Sequence, residues 1–169
     1  MTSELQALQA RLARLEDQDL IRGLVIRIAA GVDRYDEDAL RSAIWPDAVI
    51  DMGTAHFGAA FVAALAPPAT PSQGRMHLTG NHMIVADGEQ AHCESYVISV
   101  QEIVAEGGTE TRWRAGRYLD RFERRDGRWG LSRRVFVDEW SRLDPVGERP
   151  NIGARRGLPA PHDSRYSGS

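Results

Sequence analysis

RMHLTGNHMIVADGEQAHCESYVISVQEIVAEGGTETRWRAGRYLDRFERRDGRWGLSRRVFVDEW, residues 75–140, alternates between side-chain types with a period near two. It is cut by Asp87-Gly88, Gly107-Gly108 and Asp126-Gly127. Each of these dipeptides suits a tight reversal, because glycine and aspartate enter the left-handed backbone region at little cost. The stretch therefore predicts four long strands, roughly 75–85, 90–104, 111–123 and 128–140, laid side by side as an antiparallel meander.

Ahead of the meander the period is near four. Leu5, Leu8, Leu12 and Leu15, then Leu20, Leu24, Ile28 and Val32, mark apolar stripes on helical surfaces. The polar run Glu16-Asp17-Gln18-Asp19 predicts a break between two helices, with Asp17 or Asp19 as a cap. A shorter helix is expected from Asp36 to about Trp45, where Pro46 disfavours helical geometry. A strand over 48–52 and a helix over Phe57–Leu65 should follow, stopped by Pro67-Pro68. The stretch 67–74 reads as a loop.

Helices first and long antiparallel strands second give an α+β domain. The expected form is a cone, with a curved, mostly antiparallel sheet packed on N-terminal helices and a pocket at its open end. Residues 1–142 form one such domain. Residues 143–169 hold four prolines and four glycines without a period and read as an extended arm, lying on a neighbour or loosely ordered.

Composition narrows the functional classes. The 21 basic and 24 acidic residues give a net charge of −3, which does not suit a nucleic-acid-coating surface. No apolar run reaches the ~18–20 residues of a membrane helix, and the charged N-terminus does not resemble a signal peptide. A cytoplasmic protein without membrane partners is expected. One cysteine, Cys93, allows no internal disulfide. No metal-ligand, phosphate-loop or nucleophilic-serine motif is present, so any catalysis is expected to proceed without metal or cofactor.

Asp33 ends an apolar helix face and is either solvated there or turned into the pocket. His77 opens the first long strand. Alternation places it on one face with Thr79, Asn81 and Met83, either as a structural hydrogen bonder or as a base. His82 and His92 are weaker candidates. Arg134 shares a strand face with Ser132, Phe136 and Asp138, and is either a solvated arginine paired to Asp138 or Asp120 or a cation inside the pocket. Tyr118 and Tyr96 are strand aromatics whose phenols can line a pocket.

Three segments together resemble a known family: Gly31-Val32-Asp33-Arg34 with Trp45-Pro46-Asp47-Ala48; His77-Leu78-Thr79-Gly80-Asn81; and Gly116-Arg117-Tyr118 through Arg128-Trp129. They are similar to the SnoaL-like branch of the nuclear transport factor 2-like (cystatin-like) superfamily. Within it the chain looks most like the scytalone dehydratase, bile-acid 7α-dehydratase and lindane dehydrochlorinase group. The resemblance covers about 10–142 and implies a cofactor-independent lyase with Asp33 and His77 as an acid–base dyad and Arg134 as a catalytic pocket arginine. Asn81, Tyr96, Tyr118 and Tyr35 make up the expected substrate-binding set. Ile28 stands where the dehydrochlorinase carries a lysine, which argues against chloride abstraction. The implied substrate is a hydrophobic or aromatic ring compound, and the implied assembly a homo-oligomer, trimer favoured over dimer. A ketosteroid-isomerase-like isomerase, a ligand-binding domain and a small oxygenase subunit are the alternatives.

Overall fold

The computed structural model describes residues 3–65, 67, 74–147 and 157–166. Helix α1 spans Ser3–Arg34 without a break. The polar run at 16–19 contains neither proline nor glycine, so nothing in it forbids helix. Its side chains anchor the helix to the sheet instead of capping it. Asp17 accepts from Trp129 Nε1 at 3.0 Å and from Arg124 at 2.5 Å, and the Gln18 amide donates to the Ile84 carbonyl at 3.3 Å. Beyond this anchor α1 buries Ile21, Leu24, Val25 and Ile28, while Leu5, Leu8, Leu12 and Leu15 before it stay exposed.

The end of α1 sets the entry to the site. Tyr35 takes φ +53°, and the Asp36 amide donates to the Gly31 carbonyl at 2.9 Å, closing the helix with a left-handed residue. Asp36 then caps α2 (Glu37–Ala43), accepting from the Ala39 amide at 2.9 Å. Ile44 and Trp45, expected in that helix, instead begin β1 (Ile44–Asp51), because a residue before proline favours extended backbone. Pro46 falls where the pairing register of β1 shifts, so its missing N–H removes no regular ladder bond. A short β2 (Ala55–Phe57) leads into α3 (Gly58–Ala63), shorter than the helix expected there. Most of the expected 67–74 loop lies outside the described residues.

The four long strands are β3 (Arg75–Asp87), β4 (Gln90–Ala105), β5 (Gly108–Arg125) and β6 (Arg128–Pro145). With β1 and β2 they form a curved, unclosed sheet of order β2-β1-β6-β5-β4-β3. Every pairing is antiparallel except that of β1 with β6. The core lies between α1 and the inner face, around Ile21, Val25, Ile28, Leu40, Phe122 and Leu131.

Three register shifts interrupt the meander: one leaves Glu139 of β6 as an extra residue between the partners of Ala115 and Gly116, and the other two decide which side chains face the core. Between Gly80 and Met83 the β3–β4 register slips, with Asn81 at φ +49°. In β6 the partners of Arg121 and Phe122 are Arg133 and Leu131, so Ser132 is the extra residue. Each bulge exchanges the faces that simple alternation assigns beyond it.

Of the C-terminal arm, 148–156 and 167–169 lie outside the described residues. The segment 157–166 packs on its own chain at the α1–α2 junction. The Ala160 amide donates to the Arg34 carbonyl at 2.7 Å, Asp163 pairs with Arg34 at 3.3 Å, and the Tyr166 hydroxyl donates to Asp36 at 2.5 Å.

Candidate active site

A cavity of about 180 Å³ opens between the end of α1, β1, α3 and the inner face of β3–β6. Its apolar lining includes Ile28, Val32, Met52, Phe61, Leu65 and Phe136. Its polar lining includes His77, Ser99, Gln101, Tyr118 and four arginines: Arg75, Arg112, Arg114 and Arg134.

Asp33 and His77 meet at its edge. The last turn of α1 presents the carboxylate and the start of β3 presents the imidazole, 44 residues apart in sequence. One carboxylate oxygen, Oδ1, lies 2.5 Å from His77 Nδ1, and the other accepts the His77 backbone N–H at 2.9 Å. Both side chains are nearly buried, at 8% and 11% exposure. A carboxylate gripping Nδ1 fixes that nitrogen as the protonated one and leaves Nε2 with the basic lone pair. Holding the backbone amide as well ties ring orientation to strand position.

Arg134 is buried and reaches Asp120 through two parallel bonds of 2.8 and 2.7 Å, a fork-to-fork pairing. Burial works against its charge, but the attraction and hydrogen bonds of Asp120 outweigh that, and the guanidinium is held protonated more firmly than usual. Its plane covers the Tyr118 ring at 3.9 Å. Burial pushes the Tyr118 phenol up from its ordinary range, so it is a neutral hydroxyl that can donate. Arg134 is thus both ion-paired to Asp120 and part of the cavity wall, two placements that the sequence left as alternatives.

Three expected substrate contacts lie elsewhere. Alternation put Asn81 beside His77, but the bulge turns it outward, where with Tyr96 it lines a groove on the opposite face of the sheet. Tyr96 stands opposite Gly80 across the strand pair and is 49% exposed. Tyr35, in its left-handed position, packs under Arg75 at 4.8 Å and lines an outer hollow with Asp36, Pro161 and Tyr166.

Past the bulge, His82 faces inward, its Nδ1 2.8 Å from the buried Ser95 hydroxyl, with Cys93 3.3 Å from the same oxygen. Burial lowers the His82 pKa and raises that of Cys93, leaving both neutral. These are core hydrogen bonders. Among the described residues no group of three or more His, Cys, Asp or Glu is placed to hold a metal ion, and no helix is long and apolar enough to cross a membrane.

Sequence reasoning missed Ser99, Gln101, Arg75, Arg112 and Arg114. The signal was present as Arg-x-His at 75–77 and Arg-x-Arg at 112–114, same-face pairs on strands that the register brings together.

Solved structures with the same fold include the type-3 hexachlorocyclohexane dehydrochlorinase from Novosphingobium barchaimii, with 21% identity, 83% of this chain and 99% of that chain covered, and a TM-score of 0.69. A protein provisionally assigned as a scytalone dehydratase from Novosphingobium aromaticivorans shows 18% identity, coverage of 87% and 95%, and a TM-score of 0.65. Another from the same species, provisionally assigned as an aromatic ring hydroxylase, shows 25% identity, coverage of 77% and 93%, and a TM-score of 0.64. No curated protein matches the chain. The SnoaL-like domain family matches residues 13–135, which include Asp33, His77 and Arg134, and the chain belongs to that family.

Proposed function

We propose that the protein is a cofactor-independent lyase that removes water or a small carbonyl fragment from a ring-containing small molecule. The observation that carries this reading is the two-point grip of Asp33 on His77 at the wall of a cavity with a mixed apolar and polar lining. In a dehydration, His77 Nε2 takes a proton from the carbon next to the one bearing the hydroxyl. The electron pair of that C–H bond forms the double bond while the C–O bond breaks. The departing oxygen takes a proton from the Tyr118 hydroxyl or from the newly formed imidazolium and leaves as water. Asp33 stabilises the imidazolium in the interval. Arg134, stacked on Tyr118, favours negative charge developing on the phenol oxygen. The relatives named as a dehydrochlorinase and, provisionally, a dehydratase agree with an elimination.

The test is a mass-spectrometric screen of hydroxylated ring compounds with wild-type protein, Asp33→Asn and His77→Ala, without added cofactor. General-base removal is expected to lower turnover about 10²–10⁴-fold. Product of unchanged mass would establish an isomerase instead. Equal turnover by wild type and His77→Ala would remove the dyad from the reaction.

We also propose that copies of the chain associate through the outer face of the sheet. Leu78, Ile98, Ala115 and Trp140 form one cross-strand row there, and three of them are large exposed apolar side chains.

A further inference from the structure

The charges on the cavity wall are not balanced. Asp120 neutralises Arg134 and Asp33 engages His77, but among the described residues Arg75, Arg112 and Arg114 have no carboxylate within ion-pairing distance. Among the described residues Arg75 donates only to the Val32 carbonyl, at 3.4 Å, and its Nε is a buried donor with no acceptor. Arg112 has the neutral Gln101 amide oxygen as its acceptor. Burial lowers the Arg112 pKa, and the like charges of Arg114 and Arg75 lower it further. Among the described residues Arg114 has no hydrogen-bond acceptor, and it rests 5.8 Å from the Phe136 ring. Three cations gathered without counter-charge at a partly buried wall raise the energy of the empty site, and an anion placed among them relieves it.

Register fixes how this cluster stands to the dyad. His77 pairs with Ser99 and Ser99 with Arg114, so the three form one row across β3, β4 and β5. Arg75, Gln101 and Arg112 form the next row on the same face. With strands about 4.8 Å apart, Arg114 stands about 10 Å from His77 along its row, and the second row lies about 7 Å further along the strands. The volume of about 180 Å³ is close to the ~150 Å³ that encloses one benzene ring.

We propose that the cavity takes a single-ring carboxylate, with the ring against Val32, Phe61 and Phe136, the carboxylate on Arg114, Ser99 and Arg112, and the opposite end at His77. A carboxylate suits the fork of one arginine plus a neighbouring hydroxyl. This names the substrate class for the lyase reading and rests on it for the placement of the reacting end at His77. The anion site itself is testable without turnover.

The experiment is a binding titration, followed by tryptophan fluorescence, of full-length wild type, Arg114→Gln, Arg112→Gln and His77→Ala. The probes are 4-hydroxycinnamate, its methyl ester and phenyl phosphate. For wild type and His77→Ala the carboxylate is expected to bind at least about tenfold tighter than the ester, with the advantage shrinking as salt is raised. Arg114→Gln should bring the carboxylate to the level of the ester, and Arg114→Lys should restore part of the difference. Equal binding of acid and ester by wild type, no binding of the acid, or an undiminished preference in folded Arg114→Gln and Arg112→Gln would overturn the site. Tighter binding of phenyl phosphate would overturn the carboxylate assignment. Failure of the lyase reading alone would leave the acid-over-ester preference intact in every protein that keeps its arginines.

Discussion

At the scale of single residues, the pair Asp120–Arg134 carries the sharpest stability expectation. Asp120 has no exposed side-chain surface and Arg134 has 6%, so removing one partner strands a charge in the core. Asp120→Ala is expected to cost about 3–5 kcal/mol, and the double variant Asp120→Ala/Arg134→Met to recover most of it. Urea unfolding monitored by circular dichroism measures both. A double variant no more stable than the single would mean that the cost lies in lost packing around Tyr118. The pair also shows what residue-level reading can reach. Asp120 was one of two partners considered for Arg134, and alternation alone cannot separate it from Asp138. Burial separates them, because Asp120 faces the core and Asp138 is exposed.

At the scale of elements, the number of long strands and the turn positions were legible because Asp-Gly and Gly-Gly dipeptides act locally, whereas β5 and β6 each run about five residues longer than the alternation suggested. Asp126 and Gly127 both take positive φ, as their tight reversal requires. Bulges were not legible, since one extra residue leaves no compositional mark when its neighbours are Gly80 and His82. The bulge at Asn81 has a direct test. Asn81→Val places a branched side chain at φ +49° and is expected to destabilise the protein by about 1–2 kcal/mol, whereas Asn81→Gly should be tolerated. Thermal melts decide it. If Asn81→Val melts with wild type, the bulge is held by other contacts. The unbroken α1 teaches the same point in reverse: a polar run looks like an interruption until its side chains find Trp129, Arg124 and Ile84 across the core.

At the scale of the whole molecule, the outer sheet face and the first turns of α1 leave apolar side chains uncovered by their own chain, among them Leu78, Val85, Leu8 and Leu12. Light scattering after size exclusion is expected to return a small multiple of 18.8 kDa, three copies in preference to two. Leu78→Lys/Ile98→Lys should shift the mass toward one copy. A wild-type mass of one copy at micromolar concentration would rule out association through this face. The sequence by itself determined the helices-first, strands-second layout and the antiparallel meander with its turns, and the family resemblance singled out Asp33 and His77; the unbroken α1 and the short β2 were not written in it. Periodicity, turn chemistry and short motifs are written along the chain, and the family resemblance summed them. Only the tertiary structure decided that Asn81, Tyr96 and Tyr35 stand away from the cavity and that Arg75, Arg112 and Arg114 gather within it. Which face a strand residue takes depends on every bulge before it. Which charges lack a partner depends on neighbours brought together by register, and neither is recorded at any one position of the chain.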